Sequence, residues 1–257
     1  MSKKKKILLL SDDLRMHSGI ATVSKDIVME TLNEYDWVQI AGAIKHPDKG
    51  KVFDMSKGLE DYDIENGYLK IYPVDGYGDE GILREVMAIE KPDAILHYTD
   101  PRFWIWLYKM EAEIRRDIPI FYYNIWDDLP DPQYNTDYYK SSDLLMSISK
   151  QTYGINNRLL PDYEDWQTTY VPHGISKRRF FKIEDDDSEL QEFNQRFGFS
   201  NKKFRVLYSN RNIRRKMPGD VALAFKYFVE GLPEEERDDC VLIFHCSPSD
   251  ANGTCLL

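Results

Sequence analysis

Short apolar runs that end in polar residues alternate with helical patterns over the first two thirds of the chain, and this alternation constrains its fold most. Residues 7–10 are entirely apolar and are followed directly by Ser11, Asp12 and Asp13, which is typical of a strand buried on both faces. From residue 20 to residue 28, apolar side chains recur at helical spacing. Strands and helices in this alternation predict a parallel sheet covered on both faces. The predicted strands are residues 7–10, 37–44, 68–73, 94–98, 119–125, 144–148 and 168–171.

Polar side chains gather where these strands end. Ligands of open α/β sheets bind at the carboxyl ends of the strands, so we expect these side chains to share one crevice. They belong to Asp12, Asp13, His97, Asp100, Asp127, Asp128 and His173. The aromatic run at residues 103–106 falls in a predicted helix over residues 101–116. We interpret this run as core, with stacking on a ligand as the alternative.

A second strand–loop–helix pattern begins near residue 202, and its loop carries four cations. Residues 204–208 form the predicted strand, and loops of this kind hold anionic ligands in α/β proteins. Arg211 and Lys216 are spaced so that both can reach one phosphate group; a solvated basic turn is the alternative. Gly19 precedes another predicted helix, where its backbone can approach a phosphate or sugar or can simply ease a turn.

Charge and cysteine usage narrow the classes of function. The formal net charge of -10 works against nonspecific nucleic-acid binding, which needs a basic face. No apolar run approaches the roughly 20 residues of a membrane span. The three cysteines have no metal-ligand spacing, so they are expected to be reduced thiols in a cytoplasmic protein. We expect neither a bound metal nor a cofactor.

The length of 257 residues favours two domains. We predict a Rossmann-like domain over residues 1–175, a linker over 176–200 and a second α/β domain over 201–257. Two strands and one helix cannot cover both faces of a parallel sheet, so the second domain is expected to be incomplete.

Four segments, in their order along the chain, carry a resemblance to one family. They are Ser18-Gly19-Ile20-Ala21, residues 143–149, Val171-Pro172-His173-Gly174-Ile175-Ser176, and Asn210-Arg211 with Lys216. They resemble the Gly-Gly loop, the strand ending in serine, the Pro-Asn-Gly-Val-Asp turn and the Gly-Arg-Leu-x-x-x-Lys-Gly motif of GT-B fold glycosyltransferases, nearest the GT4-like (group 1) family. Ser18 replaces a glycine, His173 replaces the asparagine, and the last motif lacks its first glycine. The resemblance implies an α/β, GT-B-like fold with two Rossmann-like domains, the second incomplete.

The resemblance also implies an activity, namely transfer of a sugar from a nucleotide-diphosphate-sugar to an acceptor with retention of configuration. The implied donor-binding residues are Gly19, Asn210, Arg211 and Lys216, with Arg211 and Lys216 on the diphosphate. Family members often carry a histidine after the fourth strand, for which His97, Thr99 and Asp100 are the candidates; we take His97 and Asp100 as the catalytic ones.

Asp127, Asp128 and His173 would line the acceptor cleft. The two aspartates could accept hydrogen bonds from sugar hydroxyls or could merely turn the chain. Sugar, lipid, protein and nucleic-acid acceptors all remain open.

Two alternatives accompany the transferase. One is a GT-B-fold sugar-nucleotide epimerase, which shares the fold and the diphosphate site. The other is a truncated, non-catalytic binding module, because the family's paired glutamates lie on a helix that this chain does not reach.

Overall fold

The structure is a computed structural model, and it describes residues 3–43, 47–62, 64–177 and 179–256. The predicted second strand runs to Ile44, which lies outside the described residues, as does residue 178 of the predicted linker. The chain divides into two compact units, Met1–Phe180 and Phe181–Leu257.

The first unit is built on an eight-stranded sheet whose order is β3-β4-β2-β1-β5-β6-β7-β8. Its strands are β1 Lys5–Asp12, β2 Tyr35–Gly42, β3 Phe53–Asp54, β4 Leu69–Pro73, β5 Ala94–Tyr98, β6 Ile120–Asn124, β7 Leu144–Ser147 and β8 Thr168–Tyr170. All neighbouring pairs are parallel except β3–β4. The predicted parallel sheet is therefore confirmed, and β3 joins it as a strand that the sequence analysis did not predict.

Helices cover this sheet between its strands. They are α1 Gly19–Thr31, α2 Glu80–Glu90, α3 Ile105–Lys109, α4 Glu111–Ile114, α5 Thr136–Lys140 and α6 Lys150–Leu159. Short 3₁₀ turns occupy Ser56–Gly58, Glu60–Tyr62, Pro101–Trp104, Gln133–Asn135 and Asp165–Gln167. Three helices begin at residues whose side chains cap them: Ser18 caps α1, Asp79 caps α2 and Ser149 caps α6.

The helix predicted over residues 101–116 is broken into a 3₁₀ turn, α3 and α4. The break lies at Met110, whose dihedral angles (φ -91°, ψ 2°) are not helical. Trp104 is fully buried, as the core interpretation of the aromatic run requires, whereas Phe103 is 54% exposed.

Apolar side chains pack on both faces of the sheet, as the continuous apolar run of β1 predicts. Leu8 and Leu10 belong to a core on one face that includes Trp104. Leu9 belongs to the core on the other face, with Val28 and Trp37. Because successive strand residues point to opposite faces, β1 is the centre of both cores.

The strand order reverses at β1. The chain passes from β1 through α1 to β2 on one side, and it returns through α2 to β5 on the other. Ser11 pairs with Tyr98 at the carboxyl ends of β1 and β5. A crevice between these two ends is the expected ligand site of an open α/β sheet.

The second unit is a small α/β element. It contains α7 Ser188–Arg196, β9 Phe204–Ser209, a 3₁₀ turn Arg214–Lys216, α8 Pro218–Glu230, α9 Glu234–Arg237 and β10 Cys240–His245. The two strands form a parallel sheet of their own. Within the described part of this unit, Tyr208 is the only large apolar side chain that is buried.

None of the described helices has the length and apolar character that crossing a membrane requires.

Candidate functional site at the carboxyl edge of the sheet

The end of β1 and the start of α1 form one side of the crevice. Asp12 is 7% exposed, and its Oδ2 accepts a hydrogen bond from the Ser18 hydroxyl (2.8 Å). The Ser18 oxygen in turn accepts from the backbone N–H of Ala21 (3.0 Å), which caps α1. Burial raises the pKa of Asp12, and the Ser18 hydrogen bond offsets this only in part.

Gly19 is the first residue of α1, and the space beside its backbone is open. A Cβ atom added at Gly19 would meet no heavy atom within 4 Å, and the first turn of α1 carries no acidic or basic residue. Free backbone N–H groups and the helix dipole make such a terminus attractive to an anion.

Tyr77 is half-buried near the carboxylates of Asp12 and Asp100, and Tyr98 is buried in the core. Burial, assisted by the charges of Asp12 and Asp100, raises the pKa of Tyr77 to about 12. Burial also raises the pKa of Tyr98. The Tyr77 ring stacks on Phe103 with a centroid distance of 5.0 Å.

His97 lies beneath this edge and not in it. Its side chain is completely buried, Nδ1 is 2.6 Å from the Tyr108 hydroxyl, and the ring stacks on Tyr122. Burial lowers the pKa of His97 to about 3, an effect that the charge of Asp100 opposes only weakly. We expected His97 to face the crevice, but it packs against Trp104 and Tyr108 on one face of the sheet. The neighbouring Tyr98 is 1% exposed in the core on the other face, because successive strand residues point to opposite faces. A catalytic role of His97 stays a prediction.

Asp100 caps the 3₁₀ turn that follows β5. It accepts hydrogen bonds from the backbone N–H of Arg102 (3.0 Å) and from the Arg102 guanidinium. Burial alone would raise the pKa of Asp100, but these hydrogen bonds lower it on balance. The carboxylate is therefore charged and already paired, and its predicted catalytic role is untested.

His173 contacts two tyrosines, Tyr98 and Tyr123, which the sequence analysis did not single out. Its Nε2 is 3.1 Å from the Tyr98 hydroxyl, and its ring meets the faces of Tyr98 and Tyr123 edge-on. The Tyr123 hydroxyl donates to the carbonyl of Val171 (2.7 Å), which ties the turn after β8 to β6. The positions of Tyr98 and Tyr123 near the ends of predicted strands are the sequence signal that could have indicated them. A pocket of about 450 Å³ lies between this turn and α1.

Asp127 and Asp128 lie in the exposed loop after β6, the strand next to β5. Asp128 accepts hydrogen bonds from within its own loop, through its carbonyl from the Trp126 indole (2.8 Å) and through its carboxylate from the Leu129 N–H. Asp127 and Asp128 thus follow β6, while their predicted place in a shared crevice and their contact with an acceptor are untested.

In the second unit, the two cations of the predicted phosphate site differ in their partners. Arg211 forms an exposed ion pair with Asp250 (2.7 Å), which raises the pKa of Arg211. The Lys216 ammonium has no ion pair within the described ranges, and the Lys216 carbonyl accepts from the Tyr208 hydroxyl (3.1 Å). Asn210 is exposed.

Asn212 and Gly253 hold the basic loop and were not singled out in the sequence. Asn212 is fully buried and donates to the carbonyls of Pro248 and Thr254. A Cβ atom at Gly253 would collide with the Asn212 carbonyl, so only glycine fits there. The two segments are far apart in sequence, and no local pattern links them.

A larger cavity of about 660 Å³ lies elsewhere, between residues 49–52, β4 and α2. Its lysines are paired with carboxylates: Lys49 with Asp75 (2.9 Å), Lys51 with Asp48 (2.8 Å) and Lys70 with Glu90 (3.3 Å). We therefore place the candidate anion site at α1, where the helix terminus is open. In the described ranges, no group of three or more His, Cys, Asp or Glu side chains could hold a metal ion.

No protein-family model matches the chain, and no curated protein matches its sequence. Solved structures match it over nearly its whole length. HepE from Anabaena, in complex with UDP and glucose, is 15% identical with a TM-score of 0.59, and the match covers 93% of this chain. A glycosyltransferase from Rickettsia africae is 11% identical with a TM-score of 0.55, covering 97% of this chain and 69% of the other.

A UDP-GlcNAc 2-epimerase from Neisseria meningitidis, bound to UDP-GlcNAc, is 13% identical with a TM-score of 0.54, covering 95% of this chain and 67% of the other. The chain spans 60% of the length of HepE. These similarities show the fold: the chain has a GT-B-like α/β architecture, and the predicted fold class is confirmed.

Proposed function

We propose that this protein binds a nucleotide-sugar and transfers its sugar to an acceptor. The observation that supports this most is the open amino terminus of α1 at the point where the strand order reverses. Gly19 leaves room there for an anionic group. The GT-B fold, which glycosyltransferases and sugar-nucleotide epimerases share, is compatible with such a ligand.

In this proposal the basic loop stabilises the leaving diphosphate. Negative charge builds on the diphosphate as the glycosidic bond breaks, so fixed cations stabilise the transition state more than the ground state. Lys216 is available, whereas Arg211 must exchange Asp250 for a phosphate. Asn210 completes the donor side. These cations supply the charge without a metal ion or a further cofactor.

The acceptor side of the proposal consists of Asp127, Asp128 and His173. The Tyr98 hydroxyl holds His173 at the carboxyl edge of the sheet. The catalytic candidates of the proposal are Asp100 and His97. Retention of configuration and membership of the GT4-like family are part of the proposal.

The first prediction tests the donor site. UDP is expected to bind, and Gly19→Val is expected to weaken this binding because the added side chain occupies the space at the α1 terminus. Lys216→Ala should lower the transfer rate by about 10- to 100-fold, the loss of one charge-assisted hydrogen bond. The measurements are UDP titration by NMR and turnover of a UDP-sugar.

Arg214→Ala and Arg215→Ala are the matched controls, since both cations are exposed and neighbour Lys216 in the same turn. They should change the rate much less. Equal small losses for all these substitutions would mean a solvated basic turn, and a failure of UDP to bind would contradict the donor site itself.

A sugar-nucleotide epimerase is a second candidate, favoured by the likeness to the Neisseria enzyme. Incubation with UDP-GlcNAc and no acceptor separates the two reactions. A product inverted at C2 of the sugar indicates the epimerase, whereas a requirement for an acceptor indicates the transferase. UDP binding without any turnover would indicate a non-catalytic binding module.

A further inference from the structure

Aromatic and acidic side chains, exposed except for the half-buried Trp126, form a surface beyond the ends of β5 and β6. We define the aromatic–acidic surface as Arg102, Trp126, Asp127, Asp128 and Tyr134. Tyr134 is 61% exposed, and its ring meets that of Trp126 edge-on at a centroid distance of 5.8 Å. The Arg102 guanidinium lies 5.7 Å from the Trp126 ring centroid and is itself paired with Asp100 at the crevice.

Trp126 is held in place by buried polar groups. Its N–H donates to the side chain of Asn124 (3.0 Å), and its carbonyl accepts from the Thr152 hydroxyl (2.7 Å). Asn124 is fully buried and donates to Asn156 (2.7 Å). The ring N–H donates to the carbonyl of Asp128. A residue whose backbone and indole N–H are both held by hydrogen bonds loses little conformational freedom when it binds a ligand.

Two polar groups on this surface are free to form hydrogen bonds with a ligand. The Asp127 carboxylate and the Tyr134 hydroxyl form no hydrogen bond with the parts of the chain that the structure describes. A carboxylate accepts from hydroxyl groups, and an aromatic face packs against C–H groups. A sugar ring presents both kinds of group at once, hydroxyls around its rim and C–H groups on its faces.

Other ligands fit this surface less well. A nucleotide could stack on the rings, but the charges of Asp127 and Asp128 would repel its phosphates. A protein partner needs about 800 Å² of complementary surface per side, and this cluster consists of five side chains. A neutral carbohydrate carries no phosphates that the aspartates would repel, and it needs a smaller contact area than a protein partner.

We propose that the aromatic–acidic surface binds a neutral carbohydrate, which serves as the acceptor. The inference rests on the proposed function, because it names the chemical class of its second substrate. The link between Arg102 and Asp100 places the surface next to the crevice.

Titration of the intact chain with maltose and with cellobiose tests the proposal. The Trp126 indole N–H signal in ¹H–¹⁵N NMR spectra, assigned with Trp126→Phe, is the readout. One of the two disaccharides should shift this signal. Tyr134→Ala should weaken the binding by about 2- to 12-fold through loss of the ring contact. Asp127→Asn should weaken it by about 3- to 10-fold through loss of a charged acceptor.

Tyr62→Ala and Asp162→Asn are the matched controls, since both side chains are exposed elsewhere in the first unit. They should leave the affinity unchanged. The proposal is overturned if neither disaccharide shifts the Trp126 signal, or if the controls weaken binding as much as the test variants do. The spectra also show whether each variant is folded.

A UDP titration of the same samples separates this inference from the proposed function. UDP binding without disaccharide binding overturns the inference alone. Disaccharide binding without UDP binding supports the surface as a carbohydrate site and contradicts the transferase.

Discussion

At the scale of single residues, the buried imidazole of His97 makes a pH dependence predictable. Burial lowers the pKa of His97 to about 3 in the folded chain, while an unfolded histidine titrates near 6.5. Between these values the unfolded state binds more protons, so the free energy of unfolding falls as the pH falls. His97→Gln removes this term. From about pH 6 to about pH 4, the wild type should lose up to ~1.4 kcal/mol per pH unit relative to the variant.

Urea unfolding at a series of pH values measures this difference. His17→Gln is the matched control, because His17 is exposed, and it should follow the wild type. Parallel curves for the wild type and His97→Gln would show that the imidazole is not held neutral by burial.

His97 also shows how far residue-level prediction from the sequence reaches. The sequence placed a histidine and a tyrosine together at the end of a strand, but it does not say which side chain meets the crevice. Alternation sends His97 and Tyr98 to opposite faces of the sheet. Both are buried there, and the Tyr98 hydroxyl reaches His173. Tyr98 and Tyr123, which contact His173, were therefore missed.

At the scale of elements, the end of α2 leads to a stability prediction. Lys91 follows the helix with a left-handed backbone (φ 48°, ψ 61°), and its N–H donates to the carbonyl of Met87. A side chain in this conformation is strained, whereas glycine is not. Lys91→Gly should therefore raise the free energy of unfolding by about 0.5–1 kcal/mol, after allowing for the greater freedom of glycine in the unfolded chain. Thermal and urea unfolding measure the change.

Lys25→Gly is a matched control of opposite sign. Lys25 is exposed in the interior of α1, where glycine costs about 0.5–1 kcal/mol. If both substitutions destabilise the protein, the left-handed conformation of Lys91 is not the source of strain.

Elements with a strong local pattern could be predicted, and those set by tertiary contacts could not. The strands of the parallel sheet follow from apolar runs. The two residues of β3 are too few to show any alternation, and their pairing with β4 is a long-range contact. The break at Met110 has no glycine or proline to mark it, so residues 101–116 were predicted to form one helix.

At the scale of the whole molecule, the order of strands and helices predicted the α/β fold, because each step of that order is local. The loops of the site were less predictable. Asn212 contacts Gly253, which is far from it in the sequence. Asp250, the ion-pair partner of Arg211, lies in the same loop as Gly253. Sequence spacing indicated which residues could form a phosphate site but not which partners they already have.

The two units differ sharply in their buried apolar content, and this leads to a prediction of their dynamics. The first unit has cores on both faces of its sheet, whereas Tyr208 is the only large apolar side chain buried in the described part of the second. Local opening is easiest where few apolar contacts are lost. Amides of β9 and β10 should therefore exchange with deuterium on the order of 100-fold faster than those of β1 and β5.

Hydrogen exchange read by NMR or mass spectrometry, corrected for intrinsic rates, measures this ratio. Tyr208→Ala is expected to widen it, since the substitution removes the buried ring and the hydrogen bond to Lys216. Ile95→Ala, in the fully buried centre of β5, should instead raise exchange throughout the first sheet. Equal protection in the two sheets of the wild type would mean that the second unit is as stable as the first despite its sparse core. In that case, apolar burial within each unit would not determine where the molecule opens.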